Sequence, residues 1–265
     1  MTPRPPADSP NAARMYDYYL GGSANLASDR ELADQVIAAR PELPAIARAN
    51  RAFLGRAVRH LVEQGIDQFL DLGSGIPTVG NVHEVAHRID PRVRVAYVDH
   101  EPVAVAYARH LLADDTRIRV VQADLRDAET VLAESAELLN LGRPLALLAV
   151  AVLHFLTDED DPHGALTAYR QALVPGSHLV LSHGTTDRQP AGAVTGTQMY
   201  QQSTSPLTLR TREEVTALLA GFTVCAPGVV FTPEWRIGES VPARDEFAGH
   251  PERAGFYAAL ARLDR

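Results

Sequence analysis

The spacing of apolar positions changes along the chain and divides it into regions of different character. From Asn11 to about Gly65 the apolar residues recur at helical intervals, with breaks at Gly21-Gly22 and at Pro41 and Pro44. Ile46, Ala49, Phe53, Ala57 and Leu61 share one side of the stretch 45–63, which predicts an amphipathic helix packed by that side. Beyond residue 66, short apolar runs alternate with helical patterns. Strands are predicted over 68–72, 94–98, 118–122, 145–152 and 178–182, with helices over about 79–89, 102–112 and 163–173 between them. Such alternation predicts an α/β fold, a mostly parallel sheet covered by helices on both faces.

The last third reads differently. Residues 184–206 are rich in Gly, Thr, Gln and Ser and predict a long loop, with one helical turn around Met199-Tyr200. Thr211-Arg212-Glu213-Glu214 makes a capping box, Leu218 and Leu219 form the apolar face of its helix, and Gly221 stops it. Two short runs, 222–225 and 229–232, joined through Pro227-Gly228, predict a hairpin that completes a seven-stranded sheet. The organisation expected is a disordered tail over 1–10, which holds four prolines, a helical extension over 11–65, and one α/β unit over 66–265.

Composition removes several classes of function. The chain has 265 residues, 46% hydrophobic and 22% charged, with a net charge of −8. That balance argues against a nucleic-acid partner, which needs clustered positive charge. No apolar run approaches the length of a membrane span, the start Met1-Thr2-Pro3-Arg4 lacks the apolar core of a signal peptide, and Cys225 is the single cysteine. A cytoplasmic protein without a disulfide framework is expected. All 25 basic residues are arginine. Schiff-base enzymes, P-loop enzymes and protein kinases each need a lysine and are excluded.

The candidate chemistry begins at Phe69-Leu70-Asp71-Leu72-Gly73-Ser74-Gly75, an apolar strand running into a glycine turn. Twenty-four residues past Gly75, the run Val95-Ala96-Tyr97-Val98 ends in Asp99. That spacing fits one βαβ unit with a carboxylate placed for ribose hydroxyls. After the third strand, Asp124 is placed to accept from an adenine amine. A dinucleotide is disfavoured, because Thr78 stands where its fingerprint needs glycine and Pro77 removes a backbone donor near the pyrophosphate position. S-adenosylmethionine offers adenosine without phosphates.

A set of further blocks carries a resemblance: Tyr16-Asp17-Tyr18-Tyr19-Leu20-Gly21-Gly22 with Asn25 and Asp29-Arg30-Glu31, Arg48-Ala49-Asn50-Arg51, Gly80-Asn81-Val82-His83-Glu84, Tyr97-Val98-Asp99 and Arg210-Thr211-Arg212-Glu213. With the glycine turn they resemble the actinobacterial S-adenosyl methyltransferase family long catalogued as a domain of unknown function. The resemblance runs from about residue 10 to the C-terminus. It implies a Rossmann-like class I methyltransferase fold, S-adenosylmethionine as cofactor, S-adenosylhomocysteine as product, and an N-terminal helical addition over the cofactor. By that resemblance Gly73, Ser74 and Gly75 approach the methionine end, Asp71 helps hold the amino group, Asp99 takes the ribose, and Asp124 with Leu125 takes the adenine. Tyr18, Asn25 and Arg51 become lid candidates. His100, also a cofactor-site candidate, and His87 depart from the family pattern, where Asn and Gln are expected.

Three readings stay open on the residues alone. The first is a methyltransferase acting on a small-molecule acceptor by in-line transfer, with His154, after the fourth strand, as the candidate proton acceptor. The second is a cofactor-binding accessory or sensor protein. The third is a zinc hydrolase using His83-Glu84-Val85-Ala86-His87, a literal H-E-x-x-H without a third ligand or the usual structural context. The acidic run Asp158-Glu159-Asp160-Asp161 is read as a solvated loop and helix cap, so no metal is expected.

Overall fold

The computed structural model describes residues 9–77, 80–189, 207–235 and 246–265. Three helices lead: α1 Ala12–Tyr19, α2 Ala27–Ala39 and α3 Leu43–Glu63. Then come β1 Gln68–Leu72, α4 Val82–His87, β2 Arg94–Asp99, α5 Pro102–Leu111, β3 Ile118–Gln122, α6 Ala128–Ser135 and β4 Ala146–Val150. The rest is α7 Pro162–Ala172, β5 His178–Gly184, α8 Arg212–Ala217, β6 Thr223–Val224, β7 Val230–Phe231 and β8 Phe256–Arg262. The sheet runs β3-β2-β1-β4-β5-β8-β6, with β7 also on β8. Strands β1 to β5 pair in parallel, and β8 lies antiparallel to β5. Strand order reverses between β1 and β4, the switch point where ligands of open α/β sheets bind.

The strands are apolar on both sides because both faces are covered. Leu70, Leu72, Ala96, Val98, Leu147 and Leu181 point into a core shared with α6, α7 and α8. Phe69, Val95, Tyr97, Leu148 and Val180 point the other way, against α3 and α4. Helix α3 buries Phe53, Leu54, Ala57, Val58, Leu61 and Val62 in that second core. Its stripe is wider than the sequence pattern indicated, since Ala47 and Asn50 are buried as well. No helix among the described residues is long and apolar enough to cross a membrane.

The structure corrects the C-terminal expectation. Segments β6 and β7 do not form a hairpin with each other. Thr223 and Val224 face Arg262 and Ala261, while Val230 and Phe231 face Ala258 and Tyr257. They therefore lie end to end along one edge of β8, as a single interrupted strand. Strand β8 itself was absent from the expectation, because Tyr257-Ala258-Ala259-Leu260-Ala261 has the alanine content of a helix. Burial overrides that preference: alternate residues enter the two cores, and β5 pairs along the full opposite edge. Helix α6, capped by Asp127, was also not anticipated. Residues 1–8 of the expected tail and 190–206 of the expected loop, with its turn at Met199-Tyr200, lie outside the described residues.

The N-terminal helices are anchored by one buried ion pair. Asp29, fully buried, accepts from Arg14 Nε at 2.6 Å and from the backbone N–H groups of Asn11 and Leu26 at 2.8 Å each. Arg14 in turn donates to the Ser9 carbonyl at 2.6 Å. Removing one partner of such a pair leaves an uncompensated charge. Asp29→Ala is expected to lower stability by about 3–5 kcal/mol in urea denaturation. Hydrogen exchange is expected to show α1 and α2 opening before the sheet.

Candidate active site

The carboxyl ends of β1 to β4 open onto a cavity of about 330 Å³, roofed by the N-terminal helices. Gly73 and Gly75 both take φ +64°, a region that favours glycine. Gly73 has a second constraint, since a Cβ there would stand 2.1 Å from Val152 Cγ2. Between them, Ser74 N–H donates to the Val98 carbonyl at 3.0 Å and ties the turn to β2. Asp99, at the end of β2, accepts from Gly75 N–H at 2.8 Å and from Glu101 N–H at 2.9 Å. Burial raises its pKa, and these two hydrogen bonds oppose the rise. Each carboxylate oxygen keeps a lone pair for a hydroxyl donor.

Asp71 lines the same cavity from β1. Among the described residues no donor is hydrogen-bonded to its carboxylate. Burial pushes its pKa up to about 7, with Arg51 pulling down and Asp99 adding to the rise. Arg51 comes in from α3, its guanidinium carbon 5.5 Å from the centroid of the Tyr16 ring, and among the described residues its buried Nε has no hydrogen-bond partner. A desolvated carboxylate and a guanidinium nitrogen without an acceptor, side by side, suit a zwitterionic ligand end.

At the end of β3 the Asp124 carboxylate is engaged by Arg126 through its backbone N–H at 2.9 Å and its guanidinium at 2.6 Å. Burial raises the Asp124 pKa, but these bonds outweigh it and hold the group below its ordinary value. Arg126 also pairs with Asp160. Leu125 is fixed through its carbonyl, which accepts from Tyr169 at 2.7 Å. His100 is exposed at the cavity mouth, its Nδ1 3.7 Å from Asp99.

Beyond β4 the chain turns sharply at Ala151, a non-glycine residue at φ +56°. Ser182 holds that turn by accepting from Ala151 N–H at its Oγ, 2.9 Å, and at its carbonyl, 3.1 Å. Ser182 Oγ donates to Asn50 at 2.6 Å, and Asn50 Nδ2 donates to the Tyr16 hydroxyl at 3.0 Å. The helical turn Leu153–Phe155 follows and places His154 on the cavity wall, buried, its Nδ1 without a hydrogen-bond partner among the described residues. Burial, His183 and Arg210 together hold the His154 pKa well below its ordinary value. His183 donates from Nδ1 to the Gly184 carbonyl at 2.8 Å, so its Nε2 accepts from Arg210 at 3.0 Å. Arg210 also donates to the carbonyls of Leu153 and Leu156 and to Asp158, and so clamps the whole turn.

Of the residues singled out from sequence, Asp71, Gly73, Ser74, Gly75, Asp99, His100, Asp124, Leu125, Arg51 and His154 line this one cavity. Two do not. Tyr18 points away, its hydroxyl donating to Asp34 at 3.0 Å on the surface. Asn25 donates to Asp17 and to the Gly22 carbonyl, so it closes the loop between α1 and α2. Their neighbours Tyr16 and Asp17 line the cavity instead, because the helix turns that face inward. Asn50, Ser182, His183 and Arg210 were missed as site residues, although Asn50 and Arg210 lie in the blocks carrying the resemblance. In the H-E-x-x-H segment every member has a structural partner. His83 bonds the Tyr97 hydroxyl at 2.7 Å, Glu84 caps Asn81 N–H at 3.0 Å, and His87 donates to the Val93 carbonyl at 2.9 Å.

Sheet order, the reversed strand β8 and the strand-end cavity together define a class I methyltransferase architecture. The chain matches the S-adenosyl methyltransferase family over residues 4–264 and belongs to it. It is similar to the crystal structure of a candidate methyltransferase from Thermobifida fusca YX, at 36% identity over 98% of this chain and 97% of that one, with a TM-score of 0.89. A DUF574 family protein from Streptomyces avermitilis MA-4680 is also similar, at 36% identity over 96% and 97% of the two chains, TM-score 0.87. The N-methyltransferase NodS of Bradyrhizobium japonicum WM9, solved with S-adenosylhomocysteine, shares the fold at 14% identity, 95% and 100% coverage and TM-score 0.53. No curated protein matches the chain. The protein is an S-adenosylmethionine-dependent methyltransferase.

Asp71 makes the apo protein pH-sensitive in a defined direction. Its folded pKa of about 7 exceeds the ordinary 3.8, so the unfolded chain loses this proton first and stability falls as pH rises from about 4 to 7. Asp71→Asn removes that loss. The variant is expected to match wild type near pH 4 and to exceed it by up to about 4 kcal/mol at pH 8, read by urea denaturation at both pH values.

Proposed function

We propose that the cofactor lies across the ends of β1, β2 and β3, with its ribose on Asp99, its adenine beside Asp124 and Leu125, and its amino-acid end between Asp71 and Arg51. The observation that carries this reading is the convergence of Asp71, the Gly73-Gly75 turn, Asp99 and Leu125 on one cavity. The donor set supports it: an unpaired carboxylate for the ammonium, a guanidinium for the carboxylate, and a hydrogen-bonded aspartate with spare lone pairs for two hydroxyls.

When bound, the cofactor supplies a methyl group already activated on a sulfonium. The protein's part is then positioning and exclusion of water. The turn at Leu153–Phe155 forms the wall beside the reacting end, and Arg210 with His183 keeps that wall in place. His154 is neutral at pH 7, yet its buried ring next to Arg210 is a weak base. We assign it the role of orienting the acceptor by hydrogen bonding, with the acceptor's proton passing to solvent. A small-molecule acceptor accords with the family and with the apolar lining that Val36, Leu43, Ile46, Leu209 and Phe256 give the cavity.

Calorimetric titration tests the cofactor site. Wild type is expected to bind S-adenosylmethionine and S-adenosylhomocysteine, and Asp99→Ala to weaken both by roughly tenfold or more through loss of the charged hydrogen bonds. Undiminished affinity in Asp99→Ala would remove the ribose assignment. Because Asp71 must be ionised to meet an ammonium, affinity should rise with pH up to about 7 and level off above it. In Asp71→Asn that pH dependence should vanish.

A further inference from the structure

One wall of the cavity carries a guanidinium whose hydrogen-bond acceptor among the described residues is a neutral amide. Arg40 follows α2 and lines the cavity together with Val36, Leu43 and Phe256. Its Nη2 donates to Gln189 Oε1 at 2.7 Å, a neutral acceptor, and among the described residues no carboxylate is within ion-pair distance of it. Glu42, whose charge favours the guanidinium, is itself held by Arg253. Burial pulls the Arg40 pKa below its ordinary value. A guanidinium carries five N–H donors, and among the described residues only the contact to Gln189 uses one of them.

The placement is built rather than incidental. Gln189 donates from Nε2 to the carbonyls of Asp187 and Glu252, which turns its Oε1 toward Arg40. Gly255 lets the guanidinium lie against the backbone, since a Cβ there would stand 2.5 Å from Nη2. Thr185 N–H donates to the Gly255 carbonyl at 3.0 Å and fixes this stretch to the end of β5. The next residue, Phe256, stands edge-on to His154 with ring centroids 5.4 Å apart. A molecule anchored at Arg40 and lying along Phe256 therefore reaches the turn that faces the reacting end of the site.

We propose that the methyl acceptor is an anionic small molecule with an apolar body, its carboxylate gripped by the Arg40 fork and its nucleophile directed toward His154. The two oxygens of a carboxylate match the planar fork, and pairing restores the solvation that burial takes from the guanidinium. The apolar body is accommodated by Leu43, Ile46 and Phe256. Arg51 is engaged differently, beside Asp71 and over Tyr16. This proposal rests on reading the cavity as the methyl-transfer site.

The test titrates 4-hydroxybenzoate and 3-phenylpropanoate, each against its neutral amide, into protein saturated with S-adenosylhomocysteine. At least one carboxylate is expected to bind roughly tenfold or more tightly than its amide. Arg40→Gln should abolish that advantage, Arg40→Lys should keep part of it, and affinity for S-adenosylhomocysteine should be the same in all three proteins. Retained cofactor affinity shows that a variant is folded and separates loss of the acceptor site from loss of the cofactor site. The proposal is overturned if neither carboxylate binds, if the amides bind equally well, or if Arg40→Gln retains the preference. Failure of wild type to bind S-adenosylhomocysteine would remove the cofactor reading and this proposal with it.

Discussion

One buried carboxylate ties the glycine turn of β1, the end of β2 and the N-terminal helices into a single object. Asp99 accepts the N–H groups of Gly75 and Glu101. The Glu101 side chain accepts from Asn11 at 3.0 Å, and Asn11 N–H donates to Asp29, which holds Arg14. A hydrogen-bond path thus runs from the sheet to the roof of the cavity. Asn11, Arg14, Asp29 and Asp99 are buried, so their bonds are stronger than they would be in water and costly to leave unmade.

A second path closes the opposite side. Tyr16, Asn50, Ser182 and Ala151 link α1, α3, β5 and the end of β4. The strained turn at Ala151 persists because Ser182 satisfies its N–H, and it re-aims the chain so that His154 faces the cavity. The N-terminal helices are therefore part of the cavity wall. Helix α3 goes further and supplies part of the core under the sheet. Charge inside this enclosure is sparsely neutralised: Asp71 and Arg40 are each left with bonding capacity that a ligand can meet.

The methyltransferase class was legible in the sequence because its carriers are local. The glycine turn needs positive φ at Gly73 and Gly75, and the interval to Asp99 is one βαβ unit, both readable along the chain. Strand β8 was not legible, since alanine-rich segments favour helix until packing partners on both faces of the sheet claim them. Tyr18 and Asn25 were misplaced for a related reason. A block of polar and aromatic residues on a short helix does not say which face turns to the cavity, and here it is the face of Tyr16 and Asp17.

The sequence by itself determined the α/β class, the positions of β1 to β5, the glycine turn at Gly73 and Gly75 with Asp99 one βαβ unit on, and the exclusion of lysine-dependent chemistry. Those depend on local backbone geometry, spacing and composition. The tertiary structure alone decided that Asn50 meets Ser182 across 132 residues, that Arg210 clamps the turn bearing His154, and that Arg40 stands against Gly255 with Gln189 as its acceptor. Each joins groups far apart along the chain through one contact, and their electrostatics arise from burial that only packing creates.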